Sequence, residues 1–105
     1  MAHVDFSFDA MEWEQGAHPL GRKKRLPGTP VTLLWFEPGF VDPNRCVRGH
    51  SGWVVTGTLR MTYDETAVDY PAGSGFHIEG GTGHRAGNPF QEQVVVFLVT
   101  PEQNP

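Results

Sequence analysis

The sequence has a single cysteine, no excess of positive charge and no long apolar stretch. One cysteine excludes a framework of internal disulfides and is typical of a reducing compartment, so we expect a cytoplasmic protein. The net charge of −4 gives no overall attraction for nucleic acid, and we expect no nucleic-acid partner. The longest apolar run, Val94–Val99, is far shorter than the roughly 20 residues that span a membrane as a helix. The N-terminus also lacks the apolar core of a signal peptide.

Glycine and proline, by contrast, are abundant. Thirteen glycines and nine prolines in 105 residues are too many for a helical bundle and suit short strands joined by turns. A chain of this length predicts one domain over residues 1–105. Hydrophobic residues make up 38% of the chain, which is enough for one modest core. We therefore predict an all-β sandwich or barrel of about eight or nine strands.

Alternating and β-branched patterns predict where the strands lie. Residues 1–10 alternate between apolar and polar side chains, which predicts a strand with one buried face. Residues 52–63 predict two strands with a tight reversal at Gly57, where glycine tolerates a positive φ. The unbroken apolar run near the C-terminus predicts a strand at 93–99 that is buried on both faces. Further strands are predicted at residues 31–36, 67–70, 75–79 and 84–88.

Four consecutive basic residues, 22–25, allow two interpretations. Such a run can be a nuclear-localisation signal or a phosphate-binding patch. It can also be a solvated edge strand, because lysines and arginines discourage pairing between sheet edges. No aromatic residues alternate with these charges and the chain is acidic overall, so we favour the edge strand.

A glycine-rich stretch in the second half carries a spaced set of residues. Gly73 is followed by Gly81, then by His84 after two residues, and by Asn88 after three more. This spacing resembles the second motif of the cupins, whose fold is the double-stranded β-helix, or jelly-roll, barrel. The cupin motif also contains a proline, and Glu79 stands in its place here. The resemblance implies an all-β cupin barrel with a pocket inside it.

An earlier stretch is similar to the first cupin motif, with changed ligand residues. That motif has two histidines one residue apart, then a glutamate, then a glycine. Gly57 matches the glycine, and His50 stands where the glutamate is expected. Cys46 and Asn44 stand where the two histidines are expected. The segment Cys-Val-Arg-Gly-His is also similar to the Cys-x-x-Gly-His segment of a subgroup of uncharacterised bacterial cupins, and the resemblance covers about residues 30–100.

The cupin frame implies a metal site inside the barrel. Cys46 and His50 are four residues apart, so an extended segment points both side chains to the same face. The frame brings His84 next to them from a strand distant in sequence. One thiolate and two imidazoles suit zinc, iron or copper better than magnesium or calcium. We therefore predict a divalent transition metal bound by these three residues, with Asn44 as a weak fourth ligand or a partner of bound water.

Other interpretations of the same residues stay open. Cys46 could be a small buried hydrophobe, or a nucleophile with His50 or His84 as its base. The predicted pocket has further candidates, which are Asn44, Trp53, His77 and Asn88. Trp53 could equally belong to the core or to a dimer surface.

The function predicted from the sequence is the binding and conversion of a small molecule. Oxygen-dependent oxidation and metal-assisted isomerisation are both compatible with the predicted site, because the cupin fold supports many activities. The alternatives are a non-catalytic binding or sensing module without metal and a purely structural barrel. The apolar final strand and three tryptophans leave more hydrophobic surface than a small barrel covers, which predicts a homodimer.

Overall fold

The structure, a computed structural model, describes residues 2–101. In chain order its strands are β1 (Glu14–Gln15), β2 (Gly21–Arg25), β3 (Val31–Phe36), β4 (His50–Thr56), β5 (Thr58–Tyr63), β6 (Ala67–Pro71), β7 (Gly75–Ile78), β8 (His84–Gly87) and β9 (Val94–Val99). A short 3₁₀ helix covers Phe8–Ala10. The all-β prediction is confirmed, and no helix among residues 2–101 is long and apolar enough to cross a membrane.

Two antiparallel sheets enclose the core. One has the strand order β1-β2-β3-β9-β4-β7, and the other has the order β6-β5-β8. Apolar side chains from both sheets and from the loop after β3 fill the space between them, and this arrangement is a jelly-roll barrel. The buried core residues are Phe36, Phe40, Val54, Leu59, Met61, Ile78, Val94 and Val96.

Gly57 lies where the chain passes from one sheet to the other. Its φ is 74°, as expected for a glycine-dependent turn. The predicted tight reversal is wrong, however, because β4 pairs with β7 and β9 while β5 pairs with β6 and β8. A Cβ at this position would overlap the carbonyl oxygen of Gln93. Glycine is therefore required here by both the backbone angle and the close approach of Gln93, the residue before β9.

The N-terminal segment does not form the predicted strand. Residues 2–7 have no ladder partner, and Val4 and Phe6 are 61% and 45% exposed. The chain instead crosses the outside of the larger sheet, where the Phe8 ring meets the Phe97 ring edge-on at 6.0 Å. The alternating apolar residues therefore belong to a segment that packs against a sheet face through Phe8 and does not add a strand to a sheet edge.

The basic run forms β2, and it is only partly the solvated edge that the sequence predicted. β1 covers Arg22 and Lys23 on one side, and β3 pairs along the other side. Lys24 is buried, donates from Nζ to the carbonyl oxygen of Phe8 at 2.6 Å and lies over the Trp13 ring at 4.6 Å. The N-terminal segment therefore covers a lysine that the pattern placed in solvent.

β9 lies at the centre of the larger sheet, between β3 and β4. Val94 and Val96 are buried in the core, whereas Val95 and Phe97 on the opposite face are half-buried. The predicted burial on both faces is therefore wrong, because Val94 and Val96 are the only buried residues of this strand. The strand ends immediately before Thr100, which places that residue at the end of the barrel where β4 begins.

Candidate metal centre

Two backbone hydrogen bonds join the segments that carry Cys46 and His84. The Cys46 N–H donates to the His84 carbonyl at 2.8 Å, and the His84 N–H donates to the Cys46 carbonyl at 2.9 Å. His84 is the first residue of β8, and His50 is the first residue of β4. The three side chains therefore meet at the end of the barrel where strands begin and loops converge.

The glycine-rich loop after β7 packs against the segment between Cys46 and His50. The Gly81 N–H donates to the Val47 carbonyl at 2.8 Å, and Gly81 has a φ of 92°. A Cβ on Gly49 would lie 3.1 Å from the Gly80 nitrogen, so the two loops touch along their backbones. The absence of a side chain on Gly49 therefore allows the segment between Cys46 and His50 to lie close to the loop after β7.

The side chains of Cys46, His50 and His84 form a compact cluster. One ligand-type atom from each residue lies within 4.8 Å of the other two. The Cys46 Sγ is 3.5 Å from the His50 Nε2. The two imidazole rings are 5.2 Å apart between centroids and nearly perpendicular, at 86°.

The outer nitrogen of each imidazole has a hydrogen-bond partner. His84 Nδ1 lies 2.8 Å from the carbonyl oxygen of Thr82, and because a carbonyl only accepts, this nitrogen carries the proton. His50 Nδ1 lies 2.8 Å from the Thr100 hydroxyl oxygen, which holds the ring in place. When His50 Nδ1 donates in this contact, its Nε2 faces Cys46 as a lone pair. Outer hydrogen bonds of this kind orient the histidines of metal sites.

His84 Nε2 is the most informative atom of the cluster. His84 is buried, and this nitrogen has no hydrogen-bond partner among residues 2–101. In a neutral imidazole whose Nδ1 carries the proton, Nε2 is an acceptor. Leaving such a group buried and unpaired costs roughly 1–3 kcal/mol. A metal ion bound in the cluster would satisfy it.

The surroundings of His50 favour its neutral form, which is the form that binds metals. Burial lowers the pKa of His50 below its ordinary value, and nearby His84 and Arg48 lower it further. His50 is therefore neutral at pH 7 and able to act as a ligand. The Arg48 backbone N–H also donates to the Cys46 Sγ at 3.4 Å, which helps to orient the sulfur.

The other candidate pocket residues lie apart from this cluster. Asn44 is exposed on the loop before Cys46, where its backbone N–H donates to Asp42 Oδ1 at 2.9 Å. Trp53 is 53% exposed on the outer face of the larger sheet, because its neighbour Val54 points into the core. His77 is exposed and its Nδ1 lies 2.7 Å from the Ser51 hydroxyl oxygen.

An open cavity of about 320 Å³ lies beside His50. His77 and Glu79 also line it, together with backbone from Gly49 and Gly80. Cys46 and His50 are half-buried, whereas His84 is buried. The cluster is therefore reached from the side of Cys46 and His50.

Asn88 is a buried structural residue and does not line the cavity beside His50. It is completely buried, and its Nδ2 donates to the carbonyls of Phe36 at 3.1 Å and Glu92 at 2.8 Å. Its Oδ1 accepts from the Phe90 N–H at 3.1 Å. These bonds tie the turn before β9 to the end of β3.

Sequence reasoning did not find Thr82 and Thr100, the two residues that orient the histidines. Thr82 lies two residues before His84, inside a glycine-rich loop that gave no side-chain pattern. Thr100 is 50 residues from His50, so only the tertiary structure brings the two together. The ion pair between Asp64 and Arg45, the residue next to Cys46, was also not predictable from the sequence pattern.

Comparison with known proteins places the chain among barrels of the same fold. The Cupin domain family matches residues 37–100. KdgF from a Halomonas species is 22% identical over 95% of this chain and 96% of its own, with a TM-score of 0.76. An RmlC-like cupin from Shewanella frigidimarina is 18% identical over 98% and 94%, with a TM-score of 0.74. A sugar phosphate isomerase of the cupin superfamily from Silicibacter pomeroyi is 19% identical over 94% and 76%, with a TM-score of 0.78. No curated protein matches the chain.

Proposed function

Since this chain belongs to the cupin family, we propose that its barrel binds a divalent transition metal and uses it on a small molecule. The ligands would be Cys46 Sγ, His50 Nε2 and His84 Nε2. The observation that carries the proposal is the buried His84 Nε2, which has no hydrogen-bond partner among the described residues while its Nδ1 donates to a carbonyl. A histidine fixed in this tautomer presents its lone pair to the cluster, as a metal ligand does.

The donor set supports zinc, iron or copper. A tetrahedral site with a metal–sulfur bond of about 2.3 Å and a metal–nitrogen bond of about 2.0 Å separates sulfur and nitrogen by roughly 3.5 Å. The Cys46 Sγ and His50 Nε2 are 3.5 Å apart. The cluster has no carboxylate, and magnesium and calcium prefer oxygen ligands. A thiolate ligand also needs a reducing environment, which supports our proposal of a cytoplasmic protein.

Three protein ligands leave a coordination position for a small molecule or water. A metal bound there supplies a Lewis acid, which polarises a carbonyl group or makes a bound water more acidic. The exposed side of the cluster, at Cys46 and His50, gives a small molecule access to it. His84 closes the buried side, where its Nδ1 is held by the Thr82 carbonyl. Metal-assisted isomerisation needs only this chemistry, whereas oxidation by oxygen additionally requires iron or copper.

The first test is elemental analysis of the purified protein with its ligand variants. We expect close to one zinc, iron or copper per chain in the wild type, and loss of that metal in Cys46→Ser, His50→Ala and His84→Ala. His77→Ala is the matched control, because His77 is an exposed histidine of the neighbouring strand outside the cluster. A wild type that takes up no metal, even after reconstitution under reducing conditions, would overturn the proposal.

A metal-free binding module is the second candidate function. The open cavity of about 320 Å³ beside His50 and His77 supports it, since that space exists without a metal. Under this proposal, small molecules would raise the melting temperature of the metal-free protein, and His84→Ala would bind them as well as the wild type. Loss of binding after chelation would favour the metal proposal.

We also propose that the protein is a homodimer. Trp53 and Val55 are 53% and 46% exposed on strand β4, and Trp53 pairs across the sheet with the half-buried Phe97. This uncovered apolar area adjoins the part of the same face that the N-terminal segment covers through Phe8. A second copy of the chain would remove these side chains from water.

A further inference from the structure

We infer that the ion pair between Arg45 and Asp64 is a positioning device for the metal centre. It would hold the Cys46 and His84 segments at the separation that metal binding needs. This inference rests on the proposed metal-binding function and extends it to two residues outside the ligand set. Neither residue is a ligand, and both act through the backbone next to a ligand.

The pair has the geometry of a strong arginine–carboxylate contact. Arg45 Nε donates to Asp64 Oδ1 at 2.8 Å, and Arg45 Nη2 donates to Asp64 Oδ2 at 2.7 Å. Two parallel bonds fix the plane of the guanidinium as well as its distance. The loop before Cys46 is thereby tied to the turn that follows β5.

The guanidinium also lies directly against Gly83. A Cβ added at Gly83 would overlap the Nη2, Cζ and Nε atoms of Arg45. Gly83 is buried, and the Arg45 guanidinium packs against it. Only glycine leaves room for this contact, which gives the residue before His84 a specific role.

Two of the three contacting residues directly precede a proposed ligand, and the third follows the cross-strand partner of one. Arg45 directly precedes Cys46, and Gly83 directly precedes His84. Asp64 follows Tyr63, which is the cross-strand partner of His84. A shift of the guanidinium would therefore reach both ligand-bearing backbones through one peptide unit. Ligand positions must be held to about 0.5 Å for productive geometry, so a small shift is enough to weaken binding.

The chain contains a matched control pair on strands β5 and β6. Arg60 Nε donates to Asp69 Oδ1 at 2.8 Å, and Arg60 Nη2 donates to Asp69 Oδ2 at 3.1 Å. The side chains of this pair are 41% and 42% exposed, compared with 49% and 60% for Arg45 and Asp64. It joins β5 to β6, and neither of its residues neighbours a proposed ligand in the sequence or pairs with one across the sheet. If the loss of any surface ion pair weakened metal binding, removal of either pair should weaken it equally.

The experiment compares Asp64→Asn with Asp69→Asn in the full chain, using Co²⁺ as a spectroscopic probe. Dissociation constants for Co²⁺ are measured by titration, and the sulfur-to-cobalt charge-transfer band reports the ligand geometry. We expect Asp64→Asn to weaken Co²⁺ binding about tenfold or more and to shift the band. We expect Asp69→Asn to stay within about twofold of the wild type. Melting temperatures of the metal-free variants should fall by similar small amounts.

A second pair of variants tests the same contact from the other side. Gly83→Ala displaces the guanidinium, and we expect the same weakening and band shift as for Asp64→Asn. Gly80→Ala is its control, because a Cβ there has its nearest neighbour 3.9 Å away. If Gly83→Ala fails to fold, the aspartate pair decides alone.

The outcomes separate this inference from the function on which it rests. A wild type that binds Co²⁺ with a charge-transfer band, and an Asp64→Asn variant with the same affinity and band, would overturn the inference and leave the metal site standing. A wild type without the band would overturn the proposed function, and the inference with it. Equal losses in Asp64→Asn and Asp69→Asn would show a general stability effect and would also count against a positioning role.

Discussion

Asn88 illustrates how a motif residue can be conspicuous in sequence for a reason other than chemistry. Its position suggested a pocket residue, yet its side chain is completely buried and makes three hydrogen bonds to backbone groups. Buried polar groups with all partners in place specify one backbone arrangement. The amide holds the turn that leads into β9, and β9 leads to Thr100 and the centre.

Replacing Asn88 by alanine should therefore destabilise the fold strongly. The change leaves two carbonyl oxygens and one N–H without their partner, and we expect a loss of about 3 kcal/mol in the free energy of unfolding. Urea denaturation followed by tryptophan fluorescence measures it. Asn44→Ala is the control, because Asn44 is exposed, and it should change stability by no more than about 0.5 kcal/mol. Equal stability of both variants would contradict the structural role of Asn88.

The clustering of the three predicted ligands could be predicted because the cupin motifs imply where each of them lies. Cys46 and His50 sit on one short segment, and the spacing around His84 was specific enough to place it beside them. The residues that orient the rings were not predictable, since Thr100 approaches His50 across 50 positions of sequence. Alternation likewise gives no reason to expect the bond between Arg45 and Asp64. Local spacing reports which side chains share a face, and it does not report what meets them from a distant strand.

At the scale of the strands, the patterns succeeded where both burial and pairing were strong. β3 and β9 form as predicted, because their β-branched and aromatic residues lie in the middle of the larger sheet. The alternation of residues 1–10 was equally regular but had no free partner strand, so it gave an extended covering segment. Gly57 was recognised as a turn, but its role depends on strand pairing that the sequence does not display.

The sheet crossing at Gly57 gives a prediction that separates backbone strain from steric overlap. Gly57→Ala forces a non-glycine residue into a positive φ and also brings its Cβ against the Gln93 carbonyl oxygen. We expect a loss of about 3 kcal/mol or more in the free energy of unfolding.

Gly28→Ala is the control for this prediction, because Gly28 has nearly the same φ, 75°, but open space around it. It should lose only the strain of the backbone angle, about 1 kcal/mol. Chemical denaturation of both variants gives the difference. Equal losses of unfolding free energy in the two variants would mean that the contact with Gln93 adds no cost beyond the backbone strain.

For the molecule as a whole, the fold class followed from composition and turn chemistry, while the arrangement of the sheets did not. The order β1-β2-β3-β9-β4-β7 joins strands far apart in sequence, and only the cupin resemblance implied such a barrel. This arrangement also decides which apolar residues stay outside. Val54 and Val96 face the core, and so their neighbours Trp53 and Phe97 face outward.

The exposed part of that outer face provides the test of the proposed homodimer. Trp53→Lys places a charge at the centre of the uncovered apolar area, where burial against a second copy would be costly. We expect the wild type to elute as a dimer in size-exclusion chromatography with light scattering, and Trp53→Lys to elute as a monomer of unchanged fold.

Val68→Lys is the matched control, because Val68 is 38% exposed on the smaller sheet, away from this face. It should remain dimeric. A wild type that is monomeric at high micromolar concentration would contradict the dimer itself, because the apolar area would then stay in contact with water. A dimer that survives Trp53→Lys but dissociates with Val68→Lys would instead place the interface on the smaller sheet.

The metal centre lies at the end of the barrel where β4 and β8 begin. A dimer formed through the outer face of the larger sheet would therefore leave the access beside Cys46 and His50 open. The metal content should then be the same in the wild type and in Trp53→Lys.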